Sequence, residues 1–295
     1  MKTSDQTNSE NRDFSTISPS AKSLLLMKGC TNIPFARRTA ELIESPNKYV
    51  PDFNNKDLTF WARTLHFENR YWSIDQLMEK IPVKNVLELS SGFSFRGLEM
   101  VRQKDVYYID TDLTNVIATK PEFMKVFFNE GYDMTGKLDM LPLNALNEKQ
   151  FNEVADSFPE GEICIVNEGL LMYLSTKEKE KLCRIIHKIL QKRGGYWITA
   201  DIYIKNKQDK LNLILDDKTK EFFEQHEIEK NRFESFEEAE NFFKKMGFVI
   251  DKEAKVKRSK LSSFKYFMKC VSIKQLVNLR KAGKFQTTWR LKIAD

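Results

Sequence analysis

The chain has 295 residues, of which 41% are hydrophobic and 31% are charged, and its net charge at pH 7 is +6. These values are typical of one large globular domain and do not indicate a nucleic-acid-binding protein. No apolar run reaches the roughly 18 residues of a membrane-spanning helix, and the polar N-terminus does not resemble a signal peptide. The four cysteines form no CxxC pair and no metal-ligand spacing with histidines. We therefore expect a cytoplasmic protein without a metal, nucleic-acid or membrane partner.

The N-terminal part of the chain is helical in pattern. Residues 1–17 are rich in Ser, Thr, Asn and Asp and predict a flexible tail. Helical patterns then follow in SPSAKSLLLMKG, PFARRTAELI and LTFWARTLHFENRYWSIDQLMEKI. Together they predict a helical extension over residues 18–82.

Strand and helix patterns alternate from Val86 onward. The candidate strands are VKNVLEL, DVYYID, DMLPLNA, EICIVNE, GYWITADI, GFVIDKEA and TTWRLKIAD. This alternation predicts an α/β fold, a mostly parallel seven-stranded sheet with helices on both faces. Within a single domain over 18–295, we expect a ligand-binding core at 83–204, a small helical cap at 205–232 and the C-terminal part of the sheet at 233–295.

The segment VLELSSGFSFRG is the most informative of the chain, because an apolar strand ends there in small residues and a helical pattern follows. Small residues let a ligand approach the backbone at the end of a parallel strand. Gly92 and Gly97 are its only glycines, which argues against the GxGxxG loop of a pyrophosphate site. The next strand ends in Asp110, at the spacing of an acid that binds ribose hydroxyls. Glu88, inside the first strand, requires a buried partner.

Two later loops carry further candidates. Asn144 and Ala145 follow the third strand, where a side-chain amide and a backbone amide can meet an adenine edge; an ordinary turn asparagine is the alternative. In NEGLLMYLS, Glu168 follows the fourth strand, where it can meet an amino group of a ligand, and Tyr173 can line a substrate pocket.

These segments together resemble the leucine carboxyl methyltransferase-like family of class I S-adenosylmethionine (SAM)-dependent methyltransferases, which includes bacterial O-methyltransferases related to polyketide-biosynthesis enzymes. NEGLLMYLS resembles the family's E-G-(aliphatic)2-x-Y-(aliphatic) signature, VLELSSGFSFRG its first motif and YYIDTDL its second. Two N-terminal stretches also resemble segments of the family: SPSAKSLLLMKG with NIPFA, and RTLHFENRYWSIDQL. The similarity covers roughly residues 18–205. The chain departs from the family at Ser90, where glycine is usual, and at Asn144 and Asn32, where aspartate is usual.

The resemblance implies an enzyme, a SAM-dependent O-methyltransferase that releases S-adenosylhomocysteine (SAH) and methylates an oxygen, expected to be a carboxylate, of a small-molecule or peptide acceptor. It implies that Arg70 binds the SAM carboxylate, with Lys28 as a second candidate, and it places Asp110 at the ribose-binding acid. The expected cofactor-binding set is Lys28, Arg70, Glu88, Ser90, Gly92, Asp110, Asp112, Asn144, Ala145, Glu168 and Gly169, with Tyr173 as the candidate catalytic position in the substrate pocket. An ionised carboxylate needs no general base, so we assign His66 a packing or surface role.

Two other functions remain open at this point. One is a catalytically silent SAM-binding module, which the departures at Ser90 and Asn144 would fit. The other is a nucleotide-cofactor oxidoreductase, against which the incomplete glycine pattern argues. The sequence predicts neither the acceptor nor the oligomeric state.

Overall fold

The computed structural model describes residues 18–205 and 217–294, and the structural statements below refer to those residues. The predicted flexible tail at 1–17 lies outside them, as does the 206–216 part of the predicted cap. Three helices precede the sheet: α1 (Ser18–Lys28), α2 (Ala36–Glu44) and α3 (Leu58–Met78). The longest, α3, begins after Asp57, whose side chain accepts a hydrogen bond from the backbone N–H of Thr59.

The described strands form one seven-stranded sheet in the order β3-β2-β1-β4-β5-β7-β6. Strand β7 runs antiparallel to both its neighbours, and the other pairs are parallel. The α/β class and the mostly parallel sheet predicted from the sequence are confirmed. The strands are β1 (Asn85–Leu89), β2 (Tyr107–Asp112), β3 (Lys137–Pro142), β4 (Ile163–Asn167), β5 (Gly195–Tyr203), β6 (Phe248–Glu253) and β7 (Gln286–Ile293).

Helices cover both faces of the sheet. On one face, Leu182 and Phe243 pack against Trp197 of β5; on the other, Ile74 and Leu98 pack in a second buried cluster. The remaining helices are α4 (Arg96–Gln103), α5 (Thr114–Ile117), α6 (Lys120–Asn129), α7 (Glu148–Asp156), α8 (Thr176–Arg193), α9 (Asp217–Gln225), α10 (Phe236–Lys245), α11 (Phe264–Cys270) and α12 (Ile273–Ala282). No helix of the described ranges is long and apolar enough to cross a membrane.

Helices α11 and α12 lie between β6 and β7, in a segment that the sequence analysis included in the C-terminal part of the sheet. Glu68 of α3 attaches α11, because its carboxylate accepts hydrogen bonds from the backbone N–H groups of Ser262 and Ser263 at 2.8 and 2.9 Å. A capping box between Ser272 and Gln275 begins α12. The strand–helix alternation did not predict these two helices, because the contacts that hold them are tertiary or involve short polar side chains.

The strand order brings the candidate loops together. The chain leaves β1 in one direction to form β2 and β3, and then crosses back to form β4 on the other side of β1. In open α/β sheets this reversal creates a crevice at the carboxyl ends of the strands, where ligands bind. The loops after β1, β2 and β4 all end at that edge.

Candidate functional site

A cavity of about 1350 Å³ lies at the carboxyl ends of the central strands. Its sheet end is bordered by the loops after the strands, including Ser90, Gly92, Asp112 and Glu168. Its helical end is lined by apolar side chains of α3, α9, α11 and α12, including Ala62, Phe67, Phe223, Phe264, Leu276 and Leu279. Pockets for a single small ligand are roughly 300–1,000 Å³. The cavity therefore has room for two ligands, one at each end.

The loop after β1 has a left-handed backbone at two positions. Ser90 has a φ of 52° and Gly92 a φ of 55°. This conformation costs a residue other than glycine about 1–2 kcal/mol. Glycine adopts the backbone conformation of Ser90 without this cost.

Asp112 fastens this loop to the end of β2. Its carboxylate accepts hydrogen bonds from the backbone N–H groups of Gly92 and Leu113, both at 2.7 Å. Burial raises the pKa of Asp112, and the two backbone N–H groups counteract that rise. The carboxylate borders the cavity.

Asp110 is placed differently from the sequence-based expectation. It is 1% exposed, lies outside the cavity lining and forms an ion pair with the buried ammonium group of Lys120. Lys120 also donates a hydrogen bond to the Ser91 hydroxyl at 3.0 Å. Burial raises the pKa of the Asp110 carboxyl, and Lys120 counteracts that rise. The structure therefore brings Asp112, and not Asp110, to the cavity.

Glu168 lies at the centre of a cluster of cations. Its Oε1 accepts hydrogen bonds from Lys28 Nζ at 2.7 Å and Arg70 Nη2 at 3.3 Å, and its Oε2 accepts one from Arg96 Nη2 at 3.0 Å. Burial opposes the charge of Glu168, but the three cations outweigh burial and lower its pKa to about 2. Four segments that are distant in sequence thus meet as a buried network of opposite charges.

Arg70 reaches from α3 to the loop after β4. Its Nη1 donates to the Tyr203 hydroxyl at 3.0 Å, while its buried Nε has no hydrogen-bond partner in the described part of the chain. Gly169 lies next to it: a Cβ there would approach Arg70 Nη2 to 3.1 Å, and the φ of Gly169 is 87°. Glycine at this position therefore leaves room for the guanidinium, which borders the cavity.

Arg96 is a structural partner that the sequence analysis did not assign. Its guanidinium stacks 3.9 Å from the centre of the Tyr71 ring and donates hydrogen bonds to Asp75 and to Glu88, the latter at 3.3 Å. Glu88 also accepts a hydrogen bond from the Tyr108 hydroxyl at 2.7 Å. The buried carboxylate in β1 therefore has the partners that its position requires. The only local signal was a basic residue at the start of a helix.

Asp201, also unassigned from the sequence, holds the loop after β4. Its carboxylate accepts hydrogen bonds from Asn167 Nδ2 at 2.7 Å and from the backbone N–H groups of Gly169, Leu170 and Leu171 at 2.7, 2.7 and 3.2 Å. This acid near the end of β5 fixes the backbone that presents Glu168. Its position after an apolar strand was the available signal.

The remaining predicted residues also border the cavity. Asn144 accepts a hydrogen bond from the backbone N–H of Leu146 at 3.0 Å, so its side-chain oxygen takes part in a turn, while Ala145 lies beside it. The Tyr173 hydroxyl is 3.4 Å from the Ser20 hydroxyl, and burial raises its pKa. The structure thus groups these three with Asp112 and Glu168 around one cavity.

His66 borders the cavity as well, although the sequence suggested a packing or surface role. Its Nε2 lies 2.6 Å from the Tyr203 hydroxyl. Because Arg70 can only donate to that hydroxyl, the hydroxyl hydrogen of Tyr203 points to His66. Burial first, and then Arg70 and Arg258, lower the pKa of His66 to about 3. The imidazole is therefore neutral at pH 7.

The chain has structural neighbours at low sequence identity. A magnesium protoporphyrin IX methyltransferase (ChlM) from Synechocystis PCC 6803 with bound SAH is 9% identical, with a TM-score of 0.46, covering 92% of this chain and 100% of that one. The SAM-dependent methyltransferase SibL is 11% identical, with a TM-score of 0.46 and coverages of 96% and 71%. Mitomycin 7-O-methyltransferase MmcR is 10% identical, with a TM-score of 0.45 and coverages of 96% and 69%.

None of these three neighbours is a leucine carboxyl methyltransferase. No family model and no curated protein matches the sequence. The similarity to the solved structures is a loose one in chain fold, and it carries no information about the activity of this chain.

Proposed function

We propose that this protein is a SAM-dependent O-methyltransferase, with SAM at the sheet end of the cavity and the acceptor at the helical end. The observation that carries the proposal is the cluster of Lys28, Arg70 and Glu168 beside the loop after β1. An amino-acid tail such as that of SAM carries one carboxylate and one ammonium group. The cluster offers two cations and one carboxylate, each with a side chain no more than 9% exposed.

The residues present fit this cofactor. Arg70 Nε is buried without a hydrogen-bond partner in the described ranges, and a ligand carboxylate would satisfy it. In the proposed complex, Arg70 and Lys28 bind the carboxylate of SAM and Glu168 binds its ammonium group. A charge-assisted hydrogen bond of this kind contributes roughly 1.5–3 kcal/mol.

The adenosine part of SAM is assigned to the other loops. Asp112 is the ribose-binding acid in this proposal, because its carboxylate borders the cavity and that of Asp110 does not. Asn144 and Ala145 meet the adenine, and the Ser90 to Gly92 turn brings the backbone close to the ligand. SAM has no phosphate, which agrees with a loop of few glycines.

Bound SAM supplies a methyl group that its sulfonium already activates. The protein then needs to orient the acceptor oxygen and exclude water, and positioning alone can reach effective molarities of about 10⁵–10⁸ M. The apolar side chains of the helical end serve both purposes. We include Tyr173 in the acceptor pocket because it borders the cavity and its ring lies 6.2 Å from that of Phe222, another lining residue.

A carboxylate is the acceptor we favour. It is ionised at pH 7 and needs no base, and Arg232 at the helical end has a buried Nε without a hydrogen-bond partner among the described residues. The motif NEGLLMYLS supports the finer assignment to the leucine carboxyl methyltransferase-like group, with a small molecule or peptide as acceptor. We retain a cytoplasmic location as part of the proposal.

A hydroxyl acceptor is the second candidate, and the pair of His66 and Tyr203 is the observation in its favour. Both side chains border the cavity and share a hydrogen bond of 2.6 Å. A pKa of about 3 makes the His66 imidazole a weak base, however, because general bases work best with a pKa near the operating pH. The carboxylate therefore remains the first choice.

Calorimetry with the full chain tests the cofactor assignment. We expect SAM and SAH to bind and NAD to give no signal. Arg70→Gln should weaken SAM binding by about 10- to 100-fold through loss of one charge-assisted contact, whereas Arg184→Gln, which removes a 58% exposed guanidinium, should not. No SAM or SAH binding at millimolar ligand, or equal effects of the two variants, would contradict the proposal.

A turnover assay then separates the enzyme from a silent binding module. Purified protein is incubated with methyl-labelled SAM and a panel of apolar carboxylic acids and their alcohol counterparts. Formation of a labelled methyl ester supports the carboxylate assignment, and formation of a labelled ether supports the hydroxyl one. Tight SAM binding without transfer to either panel would favour the silent module.

A further inference from the structure

The segment between β6 and β7 concentrates positive charge. The stretch AKVKRSKLSSFKYFMKCVSIKQLVNLRKAGK, residues 254–284, contains ten lysines and arginines and no aspartate or glutamate. All ten are exposed in the structure, on and around α11 and α12. Because the whole chain carries a net charge of +6, the rest of the chain is net negative. We call this surface the basic face.

The charges of the basic face are not balanced by neighbours. Lys284 pairs with Glu253 at 2.5 Å, and the other nine form no ion pair with an acid in the described residues. Elsewhere in the same residues, lysines and arginines alternate with acids, as in the pairs of Lys188 with Glu148 and Lys192 with Asp156. An unbalanced field of this kind attracts a surface of opposite charge.

Apolar side chains stand among these charges. Helix α12 has no buried residue; Ile273 is 82% exposed and Val277 is 43% exposed. The two are four residues apart and so lie on the same side of the helix. Met268 on α11 and Phe285 after α12 are also exposed. Ile273 and Val277 are an exposed apolar pair among unbalanced positive charges, and this grouping points to a partner that is both anionic and apolar.

Against the sequence-based expectation of no membrane partner, we propose that the basic face binds the surface of an anionic lipid membrane, with Ile273 and Val277 entering the headgroup region. Helices that lie in the membrane interface combine lysines and arginines with apolar side chains in this way. Each basic residue near an anionic bilayer contributes to attraction, and aliphatic side chains add burial. A single-stranded nucleic acid would match the charge but would use aromatic stacking, and a duplex would use polar contacts to its phosphates, rather than exposed Ile and Val.

This surface adjoins the helical end of the cavity, since α11 and α12 contribute lining residues such as Phe264, Leu276 and Arg280. For the methyl transfer proposed above, membrane binding would place the acceptor pocket next to the lipid, where apolar acceptors concentrate. The binding itself involves none of the residues assigned to SAM. Its test and that of the methyltransferase proposal can therefore fail independently.

Vesicle sedimentation with the full chain tests the proposal. Vesicles of phosphatidylcholine and phosphatidylglycerol in a 3:1 ratio are compared with pure phosphatidylcholine, at low and at high salt. We expect binding to the anionic vesicles alone and weaker binding at high salt, because exposed charges are screened there. Absence of binding to the anionic vesicles, or equal binding to both kinds, would overturn the proposal.

Charge variants locate the surface. The triple substitution Lys269→Gln, Lys274→Gln and Lys281→Gln should lower the partition coefficient at least about tenfold, since three attractive charges are lost. A matched triple, Lys104→Gln, Lys149→Gln and Lys181→Gln, removes three exposed lysines of other surfaces. If the two triple variants weaken binding equally, the attraction depends only on the net charge of the protein, and the assignment to the basic face is overturned.

Apolar variants distinguish a membrane from other anionic partners. Ile273→Ser combined with Val277→Ser should weaken vesicle binding several-fold, whereas Phe128→Ser, at a 42% exposed position on α6, should not. Tighter binding of single-stranded RNA or duplex DNA than of anionic vesicles at the same salt would overturn the proposal in favour of a nucleic acid. SAM binding, measured by calorimetry on the same variants, should stay unchanged.

Discussion

Glu168 and Asp110 look alike in the sequence but differ in the structure. Each follows or ends an apolar strand at the carboxyl edge of the sheet. Glu168 borders the cavity among three cations, which hold its pKa at about 2. Asp110 is buried outside the cavity lining with Lys120 as its single cationic partner, and burial raises its pKa. An acid at a strand end becomes a ligand-binding group only when other segments leave it open to the cavity.

The difference arises from the helices that supply the cations. Lys120 is the first residue of α6, and 0% of its side chain is exposed beside Asp110. Lys28, Arg70 and Arg96 come from α1, α3 and α4 and approach Glu168 from several sides. In our proposal, the first arrangement stabilises the fold and the second offers charges to a ligand. The variants below test this division.

Asp110→Asn should have the largest effect, on stability. It leaves the buried ammonium group of Lys120 with the Ser91 hydroxyl as its remaining hydrogen-bond partner. Breaking a buried ion pair from one side costs about 3–5 kcal/mol, because an uncompensated charge stays in the interior. Urea unfolding followed by circular dichroism measures this loss in the free energy of unfolding.

Asp105→Asn is the matched control, because Asp105 pairs with Lys84 on the surface, where both side chains are more than 70% exposed. It should change the stability little. If Asp110→Asn instead keeps the wild-type stability and loses SAM affinity, then Asp110 acts at the ligand and the comparison with Glu168 fails.

The sequence predicted the fold better than the site, and the reason is physical. Alternating strand and helix patterns are local, so the sheet could be predicted from them. Asp112 borders the cavity while Asp110 pairs with Lys120 in the interior, and no local pattern specifies that tertiary difference. Arg96 and Asp201 were not assigned from the sequence for the same reason, because their hydrogen-bond partners lie many residues away in the chain.

Glu168→Gln should have the next largest effect and should change the pH dependence of stability. The pKa of Glu168 falls from 4.5 to about 2 on folding, so its ionised form stabilises the folded protein by about 3 kcal/mol. That stability is present above pH 4.5 and is lost as the pH falls from 4.5 towards 2. The variant should be less stable at pH 7 and should lose less stability over that interval.

Unfolding by urea at pH 7, 4.5, 3.5 and 2.5 measures both parts of this prediction. Glu160→Gln, at an exposed position, is the control and should retain the wild-type pH profile. A Glu168→Gln profile parallel to that of the wild type would mean that the three cations do not hold the carboxylate ionised.

Asp112→Asn should have a smaller effect, on SAM affinity. We expect the dissociation constant to rise about tenfold, because an amide accepts the hydrogen bonds of a ribose diol less well than a carboxylate does. Calorimetry under conditions where both variants are folded compares it with Asp110→Asn. A larger loss of affinity in Asp110→Asn would return the ribose-binding role to Asp110.

Ser90→Gly should have the smallest effect, and it should raise the stability of the protein rather than lower it. Ser90 has a φ of 52°. Glycine avoids the energetic cost of this left-handed conformation, although it loses more backbone freedom on folding. The expected net gain in the free energy of unfolding is about 0.5–1 kcal/mol. Ser157→Gly, at a φ of −75°, should lower stability instead. The turn that contains Ser90 contacts both regions, because Ser91 accepts a hydrogen bond from Lys120 and Gly92 donates one to Asp112. A gain in stability from Ser90→Gly would show that the serine strains this turn.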